Sequence, residues 1–359
     1  MSFVLSDLAD LPAAGFDDLI DARSPAEYAE DHLPGALSLP VLSGEERARV
    51  GTIYVQQDKF LARKIGAALV VRNIASHLEG PLADRLGGWR PLVYCWRGGQ
   101  RSGTFGWLLR EVGWRAETLD GGYRSFRRLV VRDLYDRPLR HRLIVLAGST
   151  CTAKTLLLQR LAGLGVQVLD LEGLARHRGS IFGGYADPQP SQKGLESVIA
   201  MALARLDPTR PVVVEAESSK IGNRLVPPRV WAAMCAAPRV EVTAPLVARA
   251  DYFSAAYPDL VADPGRFSAM IGRLVPLHGR AVIEAWQSQV GEGDFRGVAA
   301  DLMRRHYDPR YAKSAARHGP DAQAGVMFDR LDSAGIDAGL PDLVAALTRV
   351  DPGLLSGAG

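Results

Sequence analysis

Cysteine is scarce in this chain: Cys95, Cys151 and Cys235 are the only three among 359 residues, and no two of them form a CxxC pair. Three scattered cysteines exclude a disulfide framework and a paired-cysteine metal site read from spacing. They fit a reducing cytoplasm, where a thiol can be kept for chemistry. Long apolar runs are also missing. No stretch is long enough to span a bilayer, and Met1-Ser2-Phe3-Val4-Leu5-Ser6-Asp7 has neither the basic start nor the apolar run of a signal peptide. No internal repeat or low-complexity tract occurs. Neither sign of charge is in excess: 43 lysines and arginines against 40 acids leave a net charge of +3. No global field therefore demands nucleic acid or a membrane surface. What remains is ordinary globular composition, 47% hydrophobic and 23% charged. The length suffices for two domains with sizeable cores.

The chemistry-bearing stretch is Tyr94-Cys95-Trp96-Arg97-Gly98-Gly99-Gln100-Arg101-Ser102-Gly103. It follows the apolar Pro91-Leu92-Val93 and precedes the helical pattern Thr104–Leu109. The layout predicts a cysteine at a strand end, a glycine-bearing loop and a helix start. Such a loop turns its N–H groups toward one point, and the helix N-terminus adds partial positive charge. Arg97 and Arg101 add full charges, and a thiol in that setting is expected to be a thiolate. A buried structural cysteine is the competing reading, but it needs neither the arginines nor the glycines.

Upstream, Leu19-Ile20 reads as a short buried strand ending at Asp21. Ser24-Pro25 with Glu27 reads as a capped helix start. Leu33-Pro34-Gly35-Ala36 turns into a second apolar segment, and Leu119-Asp120-Gly121-Gly122-Tyr123 is a later strand-to-turn signal. Strands alternating with helical patterns imply a parallel sheet flanked by helices. Together with the Cys95 loop, the motifs Asp21-x-Arg23, Glu27-Tyr28 and His32-Leu33-Pro34-Gly35-Ala36 resemble the rhodanese fold over roughly residues 1–135. That resemblance implies a loop cysteine that carries a transferred chalcogen. From Cys95 to Arg101 the loop is one residue longer than in ordinary sulfurtransferases, which resembles the rhodanese-like phosphatases and implies a larger transferred group. Asp21 and Arg23 read as a structural pair supporting the loops. Residues 45–80 predict a helical, partly basic insertion whose charges are solvated.

Residues 123–142 hold seven arginines interleaved with aromatics, and only two acids, Asp133 and Asp136. Arginine grips phosphate bidentately and stacks on bases. Arg124, Arg127, Arg128 and Arg132 are therefore candidate nucleic-acid contacts, with a solvated interdomain helix as the other reading. Leu143-Ile144-Val145-Leu146-Ala147 then runs as a buried strand into Gly148-Ser149-Thr150-Cys151-Thr152-Ala153-Lys154-Thr155 and a helix. This is the layout of a phosphate-binding loop, with Gly148, Ser149, Thr150, Lys154 and Thr155 as candidate diphosphate ligands. Ala153 stands where the second glycine is usual, so a less tightly closed loop is expected. Diphosphate binding survives that change more easily than efficient ATP hydrolysis.

Val166–Glu172 and Pro211–Ser218 each read as a strand ending in acids. Glu215 or Glu217 is a candidate Mg²⁺ ligand, or else a cap or salt-bridge partner. From residue 245 the chain reads as mostly helical, with breaks at Pro258, Pro264 and Pro276, a basic aromatic turn at Asp308–Lys313, and a frayed tail over Leu354–Gly359. The fold class is thus α/β: a rhodanese-like parallel-sheet domain over 1–138, then a P-loop NTPase-like α/β domain over 139–359 with a mostly helical C-terminal part.

This fusion, the Cys95 loop, Leu169-Asp170-Leu171-Glu172-Gly173-Leu174-Ala175 with His177-Arg178-Gly179-Ser180, and Gln189-Pro190-Ser191-Gln192-Lys193 closely resemble the tRNA 2-selenouridine synthase family. The resemblance implies exchange of the sulfur of wobble 2-thiouridine for selenium from selenophosphate, and S-geranylation of that sulfur from geranyl diphosphate. It also implies the tRNA anticodon stem-loop as partner and no membrane. Cys95 would then be the selenium-carrying nucleophile, holding a selanyl adduct with Arg97 and Arg101 on the phosphate. The phosphate loop would hold the leaving pyrophosphate, with Mg²⁺ a possible aid. Three other readings stand beside this one. They are a rhodanese-type sulfurtransferase with a regulatory nucleotide-binding domain, a cysteine phosphatase lacking an evident general acid, and a non-catalytic tRNA-binding adaptor.

Overall fold

A computed structural model describes residues 1–315 and 320–355. Residues 356–359, the end of the tail expected to fray, lie outside the described residues. The chain forms two compact units: Met1–Pro138 with Pro190–Leu206, and Leu139–Gln189 with the residues from Asp207 onward.

The first unit is built on β1 (Ser2–Phe3), β2 (Asp18–Asp21), β3 (Leu37–Ser38), β4 (Pro91–Tyr94) and β5 (Glu117–Leu119). Every pairing is parallel, in the order β1-β5-β4-β2-β3. Central β4 is buried along its whole length, which is why it reads as an unbroken apolar run rather than an alternating one. The helix Pro25–Glu30 starts with a capping box between Ser24 and Glu27. The 45–80 insertion is helical as expected, as Gly44–Gln56 and Lys59–Glu79. The core gathers Ile20, Val93, Phe105 and Leu109 between sheet and helices.

The sequence placed all of 139–359 in the second domain, yet residues 190–206 belong to the first unit. The cause lies in the helix Gln192–Ala204, which buries Glu196, Ser197, Ile199 and Leu203. Ser197 Oγ donates to Asp31 Oδ2 at 2.9 Å, and Tyr123 Oη donates to the same oxygen at 2.7 Å. Glu196 accepts from Tyr135 Oη at 2.6 Å and from the Arg127 guanidinium. A carboxylate as buried as Asp31 needs such partners, and the chain returns to supply one of them.

The second unit is built on β6 (Leu143–Ala147), β7 (Val168–Leu169) and β8 (Val212–Glu215). A small antiparallel pair follows, β9 (Lys220–Ile221) and β10 (Arg224–Leu225), then β11 (Arg239–Thr243) and β12 (Ala322–Met327). Its main sheet is parallel, in the order β12-β11-β6-β8-β7. Buried β6 at its centre feeds the helix Lys154–Gly163. Leu146, Leu157, Val213, Val242 and Phe328 anchor this core.

After β11 the chain is helical, and Phe253, Phe267 and Trp286 centre a second cluster. Pro258 and Pro264 open helices rather than merely ending them, since the first helical turn tolerates proline. The turn expected at Asp308–Lys313 is instead the helix Asp308–Ala315, entered through a π-helical stretch, Met303–Tyr307. The edge strand β12 was not foreseen. Its Ala-Gln-Ala-Gly-Val-Met is poor in β-formers, and its pairing with β11 alone makes it a strand. Among the described residues no helix is long and apolar enough to cross a membrane.

Candidate functional sites

In the first unit, β4 delivers Cys95 to the head of the loop that enters the helix Gln100–Val112. The loop is seated by backbone contact with the turn after β5. Tyr123 N–H donates to Cys95 C=O at 2.8 Å and Arg124 N–H to Trp96 C=O at 3.2 Å. A Cβ on Gly122 would stand 2.3 Å from Cys95 C=O, so glycine is required there. The backbone N–H groups of residues 97–101 have no acceptor among the described residues. They lie in the loop for which an anion cradle was expected.

The thiol itself is less open than that reading expected: Cys95 is 3% exposed and packs within the apolar core. Among the described residues its one polar partner is Ser102, whose Oγ donates to Sγ at 3.1 Å. Ser102 was not among the predicted site residues. The available signal was its place immediately after Arg101, at the first turn of the helix, on the side that faces back to the strand end.

The two loop arginines differ. Arg97 is exposed, with no side-chain partner among the described residues. Arg101 is tied to Glu27 at 3.3 Å, so it braces the loop and does not stand open beside it. Asp21 and Arg23 form the buried pair expected of them, with Nη2 to Oδ2 at 2.6 Å. Arg23 also donates to the Asp31 carbonyl at 2.6 Å and lies 4.1 Å from the Tyr123 ring centroid.

The four candidate tRNA arginines divide in the same way. Arg124 and Arg128 are exposed, one helical turn apart on the helix Tyr123–Val131. Neither has a side-chain partner among the described residues. Arg127 is committed to Glu196 and to the Lys193 carbonyl at 3.3 Å. Arg132 is held by Asp133 at 2.6 Å and Asp7 at 3.5 Å. Arg127 and Arg132 are therefore internal braces, because each guanidinium is already engaged.

In the second unit, the segment Gly148–Thr155 has the loop conformation of a phosphate site. A Cβ on Gly148 would stand 2.6 Å from the Val242 carbonyl and from Thr152 Oγ1. Ala153 was expected to loosen the loop, but it adopts φ +59°, the left-handed conformation a glycine would take, and caps the following helix. The alanine adds a strain of about 1 kcal/mol and leaves the loop's course intact. Lys154 Nζ donates to Gly148 C=O at 2.8 Å and Ser149 C=O at 3.3 Å. Thr155 Oγ1 donates to Glu172 Oε2 at 2.8 Å, and the Glu172 N–H donates to Glu215 Oε1 at 2.7 Å.

A cavity of about 580 Å³ opens on this loop. Gly148, Thr150, Lys154 and Thr155 line it, while Ser149 contributes only its carbonyl to the loop's internal bonds. Arg178 and Arg310 add cationic side chains, and Tyr185, Tyr252, Tyr257, Tyr307 and Tyr311 give it an aromatic surface. Arg310 and Tyr311 reach it because Asp308–Ala315 is a helix; the sequence alone gave no reason to pair them with residue 148. Cys151 also lines the cavity, and burial pushes its thiol up to about 12.

Glu215 does not line the cavity. It is fully buried, and burial, followed by the charges of Asp170 and Glu172, pushes its carboxyl up to about 8. A neutral carboxyl with one oxygen already engaged is a poor magnesium ligand. Glu217, the alternative, does line the cavity, but burial and the neighbouring Glu172 hold its carboxyl well above the usual range. Among the described residues no group of three or more histidine, cysteine, aspartate or glutamate side chains is placed to hold a metal.

Fold and sites together define a rhodanese-like domain joined to a P-loop-type domain. The family model for rhodanese-like domains matches residues 4–129, and the model for the tRNA 2-selenouridine synthase AAA domain matches residues 141–265. The tRNA 2-selenouridine synthase of Hahella chejuensis is 36% identical over 312 residues, covering 84% of this chain and 74% of that protein. That of Nitrosomonas europaea is 37% identical over 262 residues, 67% of this chain and 66% of that protein. That of Aeromonas salmonicida is 38% identical over 248 residues, 68% of this chain and 66% of that protein. The chain belongs to the tRNA 2-selenouridine synthase family. It spans just under two thirds of the length of the Nitrosomonas and Aeromonas relatives.

Proposed function

We propose that this protein is a tRNA-modifying selenotransferase of the cytoplasm that converts wobble 2-thiouridine to 2-selenouridine, with selenophosphate as selenium donor and S-geranylation as the activating step. Thiocarbonyl sulfur is a poor leaving group. In the activating step that sulfur attacks the allylic carbon of geranyl diphosphate, the C–O bond breaks and pyrophosphate departs. The resulting thioether can leave C2 as a thiol when selenium attacks.

The observation that carries this reading is the composition of the cavity on the phosphate loop. Loop amides and Lys154 suit a diphosphate leaving group, and five tyrosines with Ala255 and Ala256 suit an apolar chain. In the first unit, Cys95 has a hydroxyl donor on its sulfur and a loop of unengaged amides after it. That suits a nucleophile handling a phosphate-bearing chalcogen donor. Exposed Arg97, Arg124 and Arg128 suit phosphates of an anticodon stem-loop.

Purified protein is incubated with thiolated tRNA, geranyl diphosphate and selenophosphate, and the nucleosides are weighed by mass spectrometry. S-geranyl-2-thiouridine without selenophosphate, and 2-selenouridine with it, is the expected result. Sulfur transfer from thiosulfate with no change in the tRNA would instead identify a rhodanese-type sulfurtransferase.

A further inference from the structure

The phosphate-loop cavity holds three cationic side chains, and only Lys154 belongs to the loop. Arg178 sits in a tight turn, where its N–H donates to Gly183 C=O at 2.9 Å and its C=O accepts from Ser180 N–H at 2.7 Å. Its guanidinium is anchored on one side only. Nη2 donates to Asp259 Oδ1 at 2.8 Å, and the plane lies 4.2 Å from the Tyr185 ring centroid and 5.1 Å from that of Tyr257. Nη1 is shielded from water and has no acceptor among the described residues. A buried donor left without an acceptor is costly, and a ligand oxygen in the cavity would relieve that cost.

Arg310 is exposed and has no ion pair among the described residues. Its helix is set relative to the phosphate loop by one guanidinium. Arg249 Nε donates to Thr150 C=O at 2.9 Å, and Nη1 and Nη2 hold Asp308 at 3.1 and 2.7 Å. Tyr307, Arg310 and Tyr311 then share one helical face toward the cavity.

We propose that Arg178 and Arg310 hold one phosphate group of a bound diphosphate while the loop amides and Lys154 hold the other. The proposal rests on the diphosphate reading above and adds the residues that would make the cavity select two linked phosphates over one. Guanidinium suits this task, since its planar fork meets two oxygens of one phosphate. Arg178 is already stacked and tethered, so little freedom is lost on binding.

The test is calorimetric titration of the full chain with inorganic pyrophosphate and, separately, with orthophosphate at fixed salt. The wild type is expected to prefer pyrophosphate. Arg178→Gln and Arg310→Gln should each weaken pyrophosphate binding about 10–100-fold and leave orthophosphate within about threefold, whereas Lys154→Ala should weaken both. Arg310 is exposed, so its variant reports on binding without a folding cost. Arg178→Lys, checked by thermal unfolding without ligand, separates loss of the fork from loss of charge. If both arginine variants bind pyrophosphate like the wild type while Lys154→Ala does not, the second pair is wrong and the loop reading stands. If the wild type binds no pyrophosphate, the diphosphate reading fails and this proposal with it.

Discussion

At the scale of single residues, the environment of each reactive group sets its part. Cys95 is buried, and its sulfur faces one hydroxyl, that of Ser102. A hydrogen bond to a developing anion contributes roughly 1.5–3 kcal/mol. Ser102→Ala should therefore slow alkylation of Cys95 by iodoacetamide about tenfold or more, followed by mass spectrometry of the labelled peptide. An unchanged rate would remove Ser102 from the site. Glu215 offers a test of a different kind. Its folded value of about 8 lies above the usual 4.5, so the folded state keeps a proton that the unfolded state releases. Stability must then fall as pH rises from about 4.5 to about 8. Glu215→Gln, which keeps an acceptor for the Glu172 N–H, should be the more stable form at pH 8 by about 4 kcal/mol and equal to wild type near pH 4.5. Urea unfolding at several pH values reads this directly.

At the scale of elements, the helix Tyr123–Val131 carries two kinds of arginine. Its core face holds Phe126 and Val130, and Arg127 is spent on Glu196. Arg124 and Arg128 remain for an anionic partner. Replacing both by glutamine should weaken tRNA binding about equally for all tRNA sequences and lower the slope of log affinity against log salt by roughly 1–2. Arg127→Gln should instead lower the unfolding midpoint, since it strands the buried Glu196 carboxylate. Filter binding across a salt series, beside thermal unfolding, distinguishes the two. The helix Asp308–Ala315 teaches a related lesson: its residues read as a basic aromatic turn, and only packing reveals a helix that brings Arg310 and Tyr311 to the phosphate-loop cavity.

At the scale of the whole molecule, the proposed function assigns its two chemistries to the two units. Cys95→Ala should abolish selenium incorporation while geranylation continues. Lys154→Ala should impair geranylation first, by about 10–100-fold, as loss of one charged donor to the leaving group implies. Nucleoside mass spectrometry of both variants reads both activities. Normal geranylation in Lys154→Ala, with selenation alone reduced, would refute this division of labour.

The sequence by itself determined both strand–loop–helix junctions. Apolar runs, glycines and adjacent cations are local features, and local steric and capping rules act on them directly. That is why Pro91–Ser102 and Leu143–Thr155 were legible, and with them the two-unit α/β architecture. Tertiary structure alone decided four other matters: that residues 190–206 complete the first unit, that Ala153 keeps the loop's course at φ +59°, that Arg101, Arg127 and Arg132 are braces, and that Glu215 is a neutral buried acid. The 190–206 segment, Arg101, Arg127 and Glu215 depend on which distant group stands beside a side chain, through hydrogen bonds and desolvation between residues far apart in sequence. No periodicity or spacing along the chain records those neighbours.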